Sequence, residues 1–204
     1  MLRQIFIQLV LKYANDNRLS ETLWDEIEKN YTNKKRYYHT LDHLENLYQQ
    51  LTEVKEEIED WDTILFTLFY HDVIYKPTKS DNEHKSAELA RERLQSIAYP
   101  VDKISKCFNQ IIATKEHSIS ICKDTNLFTD ADLSVLGQAW ELYAVYSTQV
   151  RKEYAIYPDV IYNSGRKKVL NHSLNMDSIF KTKPFYSKYE NAARQNLMKE
   201  LKQL

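Results

Sequence analysis

Apolar residues recur every three or four positions along most of the chain, which is the spacing of one face of an α-helix. The segment 20–31 shows this pattern, and Ser20 is its expected N-terminal cap. Its apolar residues share one face: Leu23, Trp24, Ile27 and Tyr31. The same spacing predicts further helices at about residues 2–15, 39–51, 61–75, 82–97, 101–117, 127–137, 139–157, 159–176 and 184–204.

One segment departs from this amphipathic pattern, because every residue from Ile64 to Tyr70 except Thr67 is apolar. Such a run fits either a buried strand or a helix covered on most sides. No alternating strand partner lies nearby, so we expect a central buried helix. Pro77 prevents it from continuing much further.

The composition agrees with an all-α fold, because the 204 residues include only two glycines and four prolines. We expect one helical domain over 1–204, with a core region at about 30–140 and C-terminal helices at 138–204 packed on it. The net charge of −1 argues against a nucleic acid polymer as partner. No apolar run is long enough for a membrane span, so a cytoplasmic location is expected. Cys107 and Cys122 fit either one disulfide or two reduced thiols.

The pair His71–Asp72 stands at the end of the most apolar segment. Burying these two groups without partners costs several kcal/mol (roughly 2–7 per polar group). A divalent cation would offset that cost, because it accepts an imidazole nitrogen and a carboxylate oxygen as ligands. The alternative is an ordinary helix end with Asp72 as a cap.

Further metal-ligand residue types lie on other predicted helices. His39 and His43 are four residues apart and therefore share a helical face. Asp130 and Asp132 lie in another helical segment. A histidine, a His-Asp doublet and a later aspartate on separate helices are the arrangement of the HD-domain hydrolase superfamily.

The chain resembles one bacterial family of that superfamily, the predicted metal-dependent HD phosphohydrolases. The resemblance covers roughly residues 30 to 200. It is carried by the ordered strings RYYHTLDHL, FYHDVIY, DNEHKSAELA, ATKEH, LFTDADLSVLG, VRKEY and IYNSGRKKVL. The resemblance implies an all-α fold around a central divalent metal ion, and more loosely the hydrolysis of a phosphate ester.

Carried over residue by residue, the resemblance implies four metal ligands: His39, His71, Asp72 and Asp132. His43 remains an alternative to His39, or a second histidine facing the ion. Asp130 is the alternative to Asp132, or an acceptor that orients a ligand histidine.

The expected chemistry is attack on phosphorus by a water that the metal activates, with Asp72 either bridging the ion and this water or taking a proton from it. Glu83 is the candidate acid for the leaving oxygen, and Asn82 is expected to position a substrate oxygen. The alternative is that both belong to a solvated first helical turn. Lys115 is the candidate cation beside the phosphate.

Other residues near these strings have weaker assignments. His117 is either an additional ligand or part of a solvated helix end. Arg36 lies close to His39 in the sequence and is a candidate for binding a phosphate. Tyrosines near the proposed ligands offer either packing or stacking on a base. They are Tyr37, Tyr38, Tyr70 and Tyr75.

The leading interpretation is a phosphomonoesterase or phosphodiesterase for a small phosphorylated metabolite, such as a nucleotide. The metal is one of Mn, Mg, Fe, Co, Ni or Zn, because mixed nitrogen and oxygen ligands suit all of them to some degree. Two alternatives are a non-catalytic or regulatory module that binds metal and nucleotide, and a di-iron oxygenase of the HD type. No membrane partner is expected, and the sequence does not decide whether the protein forms a homodimer.

Overall fold

A computed structural model describes all 204 residues, and it contains ten α-helices and no strand. The predicted all-α class and number of helices are therefore confirmed. The helices are α1 (Leu2–Leu11), α2 (Asn17–Tyr31), α3 (Leu41–Glu53), α4 (Trp61–Tyr70), α5 (Asn82–Ser96), α6 (Val101–Ala113), α7 (Lys123–Leu133), α8 (Trp140–Glu153), α9 (Asp159–Leu174) and α10 (Lys183–Gln203). Short 3-10 helices follow α3 and α7, at Lys55–Glu57 and Ser134–Gly137.

Helix α4 lies at the centre of the molecule, as its apolar sequence predicts. Every side chain from Thr63 to Tyr70 is buried. Helices α1, α3, α5 and α6 pack around it, and buried apolar residues from α1 to α10 form one continuous core. Since α4 cannot tilt or shift without exposing apolar surface, the residues at its C-terminal end are held in a fixed position.

Several predicted helix ends differ from the structure by a few residues, among them one end each of α2 and α8. Helix α2 begins three residues before Ser20, because Asp16 caps it by accepting a hydrogen bond from the backbone N–H of Leu19 at 3.0 Å. The Ser20 hydroxyl instead donates to the carbonyl of Asn17 within the first turn. Helix α8 ends at Glu153, well before Pro158. Glu153 is therefore the last residue of this helix, and its side chain contacts His39.

Gly137 allows the turn between α7 and α8 to approach α10 closely. A Cβ atom at this position would lie 2.5 Å from Cβ of Tyr189, and within 3 Å of its backbone. Only glycine avoids that overlap. The two cysteines are free thiols, with Cys107 buried and Cys122 partly exposed. None of the helices combines the length and apolar character that crossing a membrane requires.

Candidate metal centre

Side chains from three helical ends converge beside α4. His43 comes from the first turn of α3, His71 and Asp72 directly follow α4, and Asp132 lies in the last turn of α7. His43 and His71 are buried, while Asp72 and Asp132 are about 15% exposed. The predicted convergence of a histidine, the His-Asp doublet and a later aspartate is therefore present.

The distances between these donor atoms fit ligands of one ion. The Nε2 atoms of His43 and His71 are 3.1 Å apart. Asp132 Oδ1 lies 3.4 Å from Nε2 of His43 and 3.8 Å from Nε2 of His71. Two donors about 2.1 Å from one ion are separated by about 3.0 Å at right angles and about 3.4 Å at a tetrahedral angle. His43, His71 and Asp132 thus form a group that could hold a metal ion.

Asp72 joins this group from the side. Its Oδ2 atom lies 3.2 Å from Nε2 of His71, and 3.8 and 3.9 Å from Nε2 of His39 and His43. The residue is held there through its backbone, since its N–H donates to the Tyr31 hydroxyl at 3.2 Å. One carboxylate oxygen therefore faces three imidazole nitrogens.

The ring of His71 is fixed by a hydrogen bond on its other side. Nδ1 lies 2.9 Å from the carbonyl oxygen of Leu68, which only accepts, so Nδ1 carries the proton and Nε2 is directed to the cluster. Burial lowers the pKa of His71, but the negative charges of Asp72 and Asp132 outweigh it and raise the pKa to about 9. The carboxylates thus attract a positive charge to this position.

The two carboxylates are held in their charged form. Burial raises the pKa of Asp72, but His71 and His39 outweigh it and keep the pKa well below its usual value. Burial also raises the pKa of Asp132, but hydrogen bonds from His117 and His43 outweigh this effect and keep the pKa well below its usual value. A site with two ionised carboxylates and imidazole nitrogens is suited to a divalent cation.

His39 stands at the rim of the cluster, directly before α3, and its orientation depends on Glu153 at the end of α8. Nδ1 of His39 lies 2.7 Å from Oε2 of Glu153, so Nε2 faces Asp72. Oε1 of Glu153 accepts from the backbone N–H groups of Tyr37, Tyr38 and His39 at 2.8–3.0 Å. The Glu153 side chain is fully buried.

His39 and Glu153 each shift the pKa of the other in the direction that favours its charged form. Burial raises the pKa of Glu153, but its contacts with His39 and the backbone lower the pKa to about 2. For His39, burial lowers the pKa, and the charges of Asp72 and Glu153 raise it overall. A carboxylate behind a histidine is the common means of orienting a metal ligand. Both histidines of the predicted pair thus face the cluster, with His43 closer to its centre.

His117 reaches the cluster through an unusual backbone conformation. Its φ angle of 51° is left-handed, and its N–H donates to the carbonyl of Ala113, so the residue closes the turn that follows α6, where glycine is more usual. Nε2 of His117 lies 3.0 Å from Oδ2 of Asp132. The left-handed conformation costs about 1–3 kcal/mol, and it turns the imidazole towards the site.

A cavity of about 530 Å³ opens from the cluster and extends between the core and helices α8 and α9. His39, Asp72, His117 and Asp132 line one end of it. Glu83 also lines the cavity, as its predicted role requires, and forms no hydrogen bond or ion pair. Six tyrosines contribute to the walls: Tyr38, Tyr75, Tyr146, Tyr154, Tyr157 and Tyr162.

Three predicted site residues prove to be structural. Arg36 does not face a substrate, because its guanidinium donates to the carbonyls of Asp72 and Val73 at 2.7 and 2.8 Å. Asn82 does not position a substrate oxygen either. Its amide closes the loop before α5, accepting from the N–H of Lys76 and donating to that residue's carbonyl at 3.0 Å.

Asp130 is the third, and it neither binds nor orients a ligand histidine. Its carboxylate accepts from the backbone N–H groups of Lys181 and Thr182 and pairs with the Lys181 ammonium. It therefore secures the start of α10. Lys115, the candidate cation beside the phosphate, is exposed and does not line the cavity.

Sequence reasoning missed Glu153 and most of the aromatic wall. Glu153 is 114 residues from His39, and no spacing connects the two. Tyr38 and Tyr75 line this cavity as the stacking hypothesis requires, whereas Tyr70 is buried in the core and Tyr37 is partly exposed and does not line it. The other wall tyrosines come from the C-terminal region, where only their abundance was a signal.

Comparison of the chain with protein-family models, with curated proteins and with solved structures gives no match.

Proposed function

We propose that this protein is a metal-dependent phosphohydrolase of the HD-domain type. The observation that carries the proposal is the convergence of imidazole nitrogens and carboxylates at the end of a large cavity. His43, His71, Asp72 and Asp132 supply the mixed nitrogen and oxygen donors that suit Mn, Mg, Fe, Co, Ni or Zn. His39, oriented by Glu153, is the fifth candidate donor.

Two carboxylates at the same cavity, those of Asp72 and Glu83, favour hydrolysis as the reaction at this donor set. A divalent ion bound there lowers the pKa of a coordinated water and polarises a phosphoryl oxygen. Asp72 faces the cavity and is positioned to take the proton of the attacking water. Glu83, free of protein partners on the wall of the same cavity, is the acid for the leaving oxygen.

The test is turnover of a panel of phosphate esters by protein loaded with each of the six metals. Asp72→Ala should abolish metal-dependent turnover and leave the helical circular dichroism largely unchanged. Asp102→Ala removes an exposed carboxylate at the start of α6 and is the matched control. Wild-type turnover by Asp72→Ala would show that this mechanism is wrong.

Metal analysis of the same preparations separates the two alternative functions. Tight binding of metal without turnover of any ester would indicate a binding or regulatory module. Two irons per chain after anaerobic purification, together with oxygen consumption, would indicate an oxygenase instead.

A further inference from the structure

We propose that the substrate is a phosphodiester whose two organic groups occupy two cavities that meet at the metal cluster. This inference rests on the proposed function and specifies its substrate class. Two observations carry it: a second cavity that reaches the same side chains, and the absence of free cations from both cavities.

The second cavity has a volume of about 460 Å³ and lies between α3 and α8. His43 and Asp132 form its inner end. It shares Tyr38, Asp132, Val135 and Tyr146 with the first cavity. The rings of Tyr38 and Tyr146 are in edge contact, with centroids 4.7 Å apart, and both rings line both cavities. A group held at the cluster is therefore accessible from both cavities.

The two cavities differ in chemical character. Tyrosines and aliphatic side chains dominate the first, which suits a planar or apolar group. The second contains the uncommitted amides of Asn46, Gln49 and Gln149, which form no hydrogen bonds within the protein. Neutral amides suit a hydroxylated or heterocyclic group. A monoester has one organic group and would leave one of these spaces empty, whereas a diester has two.

The charges also favour a diester. Arg166 is the only basic residue, lysine or arginine, among those that line the two cavities. Its guanidinium forms a buried two-point ion pair with Glu200, at 2.8 and 3.0 Å, and is thereby neutralised. The charges of Asp72 and Asp132 balance one divalent ion, so neither cavity offers an unpaired lysine or arginine to a phosphate.

The charge of the phosphate group therefore decides between the substrate classes. A diester carries a single negative charge, whereas a monoester is largely a dianion at pH 7 because its second pKa is about 6. Polyphosphates carry still more charge and normally require lysines, arginines or additional metal ions. The site is thus best matched to the least charged phosphate ester.

The reaction balances as simple hydrolysis. The oxygen of one water bonds to phosphorus, one P–O ester bond breaks, and the leaving oxygen receives a proton. The products are an alcohol and a phosphate monoester. The monoester gains a second negative charge near pH 7, and the lack of cations favours its release before a second hydrolysis.

A pair of synthetic esters with the same leaving group tests the inference. Bis(4-nitrophenyl) phosphate is the diester and 4-nitrophenyl phosphate the monoester, each assayed with the Mn²⁺-loaded protein. We expect kcat/KM to be at least about tenfold higher for the diester, a difference of about 1.4 kcal/mol in transition-state binding. Equal or faster hydrolysis of the monoester would overturn the inference.

A binding measurement tests the second cavity independently of turnover. Val145→Trp adds bulk at a half-exposed position that lines only this cavity. Thr148→Trp adds the same bulk at an exposed position of α8 that lines neither cavity. By calorimetry, Val145→Trp should weaken binding of diphenyl phosphate about tenfold and leave phenyl phosphate unchanged. The Thr148→Trp control should change neither.

Unchanged diphenyl phosphate binding in Val145→Trp would remove the second cavity from the substrate site. If neither nitrophenyl ester is hydrolysed but the binding differences appear as expected, the hydrolase function fails and diester recognition stands. If hydrolysis occurs and favours the monoester, the hydrolase function stands and the diester inference fails.

Discussion

Oε2 of Glu153 lies 2.7 Å from Nδ1 of His39, which fixes the imidazole so that its Nε2 faces the Asp72 carboxylate. The other carboxylate oxygen accepts three consecutive backbone N–H groups, from Tyr37 to His39. One buried side chain at the end of α8 thus shapes both the loop before α3 and the rim of the cluster of candidate metal ligands.

Glu153→Gln should weaken metal binding, because the amide no longer offers a charged acceptor to Nδ1 of His39. We expect the dissociation constant for Mn²⁺ or Zn²⁺ to rise about 10- to 100-fold, as for other partners of metal-bound histidines. Glu141→Gln, an exposed glutamate at the start of the same helix, is the control and should leave it unchanged. Wild-type affinity in Glu153→Gln would exclude His39 as a ligand oriented by this carboxylate.

Substitutions of the two aspartates of α7 should have different effects on metal affinity. Asp132→Asn should lower metal affinity, because it replaces a charged oxygen that lies 3.4 Å from Nε2 of His43 and 3.8 Å from Nε2 of His71. Asp130→Asn should retain metal affinity and destabilise the fold by about 1–3 kcal/mol, because it weakens the charged acceptor at the start of α10. Metal titration and thermal unfolding of both variants check this. The opposite assignment of effects would make Asp130 the ligand.

The ion pair of Arg166 and Glu200 should make stability depend on pH. Burial raises the pKa of Glu200, but hydrogen bonds and charge from Arg166 lower it overall, helped by Tyr143 and Ser147. The folded pKa is below the unfolded value near 4.5, so the stabilisation is present above that pH and disappears as the pH falls below it.

Glu200→Gln is the variant that measures this contribution. It should destabilise the protein by about 3 kcal/mol at pH 7, because it leaves the buried Arg166 guanidinium without a counter-charge. The difference in melting temperature from wild type should stay nearly constant from pH 7 to about pH 5 and narrow as the pH falls below about 4.5. A difference that does not narrow below about pH 4.5 would show that the charge of Glu200 does not contribute.

The two glycines should respond to alanine in opposite ways. Gly137→Ala places a methyl group against the backbone of Tyr189 and should cost about 1–3 kcal/mol. Gly165→Ala meets no atom within 4 Å, and alanine in the middle of α9 should stabilise by about 0.5–1 kcal/mol. Chemical denaturation of the metal-free variants compares them. A neutral Gly137→Ala would mean that the turn and α10 can separate without loss.

By itself, the sequence determined the helices and the position of the central one. Helical periodicity is a local property, so 3.6-residue spacing in a segment such as 20–31 predicts its structure without knowledge of the rest. The run Ile64–Tyr70 is apolar on all sides and must be buried, which carries His71 and Asp72 into the interior. The interior position of these two residues was therefore predictable from physical chemistry alone.

Tertiary structure decided which neighbouring candidates face the cluster. Residues two apart on a helix point about 200° away from each other, so Asp130 and Asp132 must face different ways. Which one faces the cluster depends on the packing of α7 against α3 and on the start of α10. The sequence also could not place Glu153 behind His39, because contacts between distant segments form only when the complete core fixes α8 beside α3.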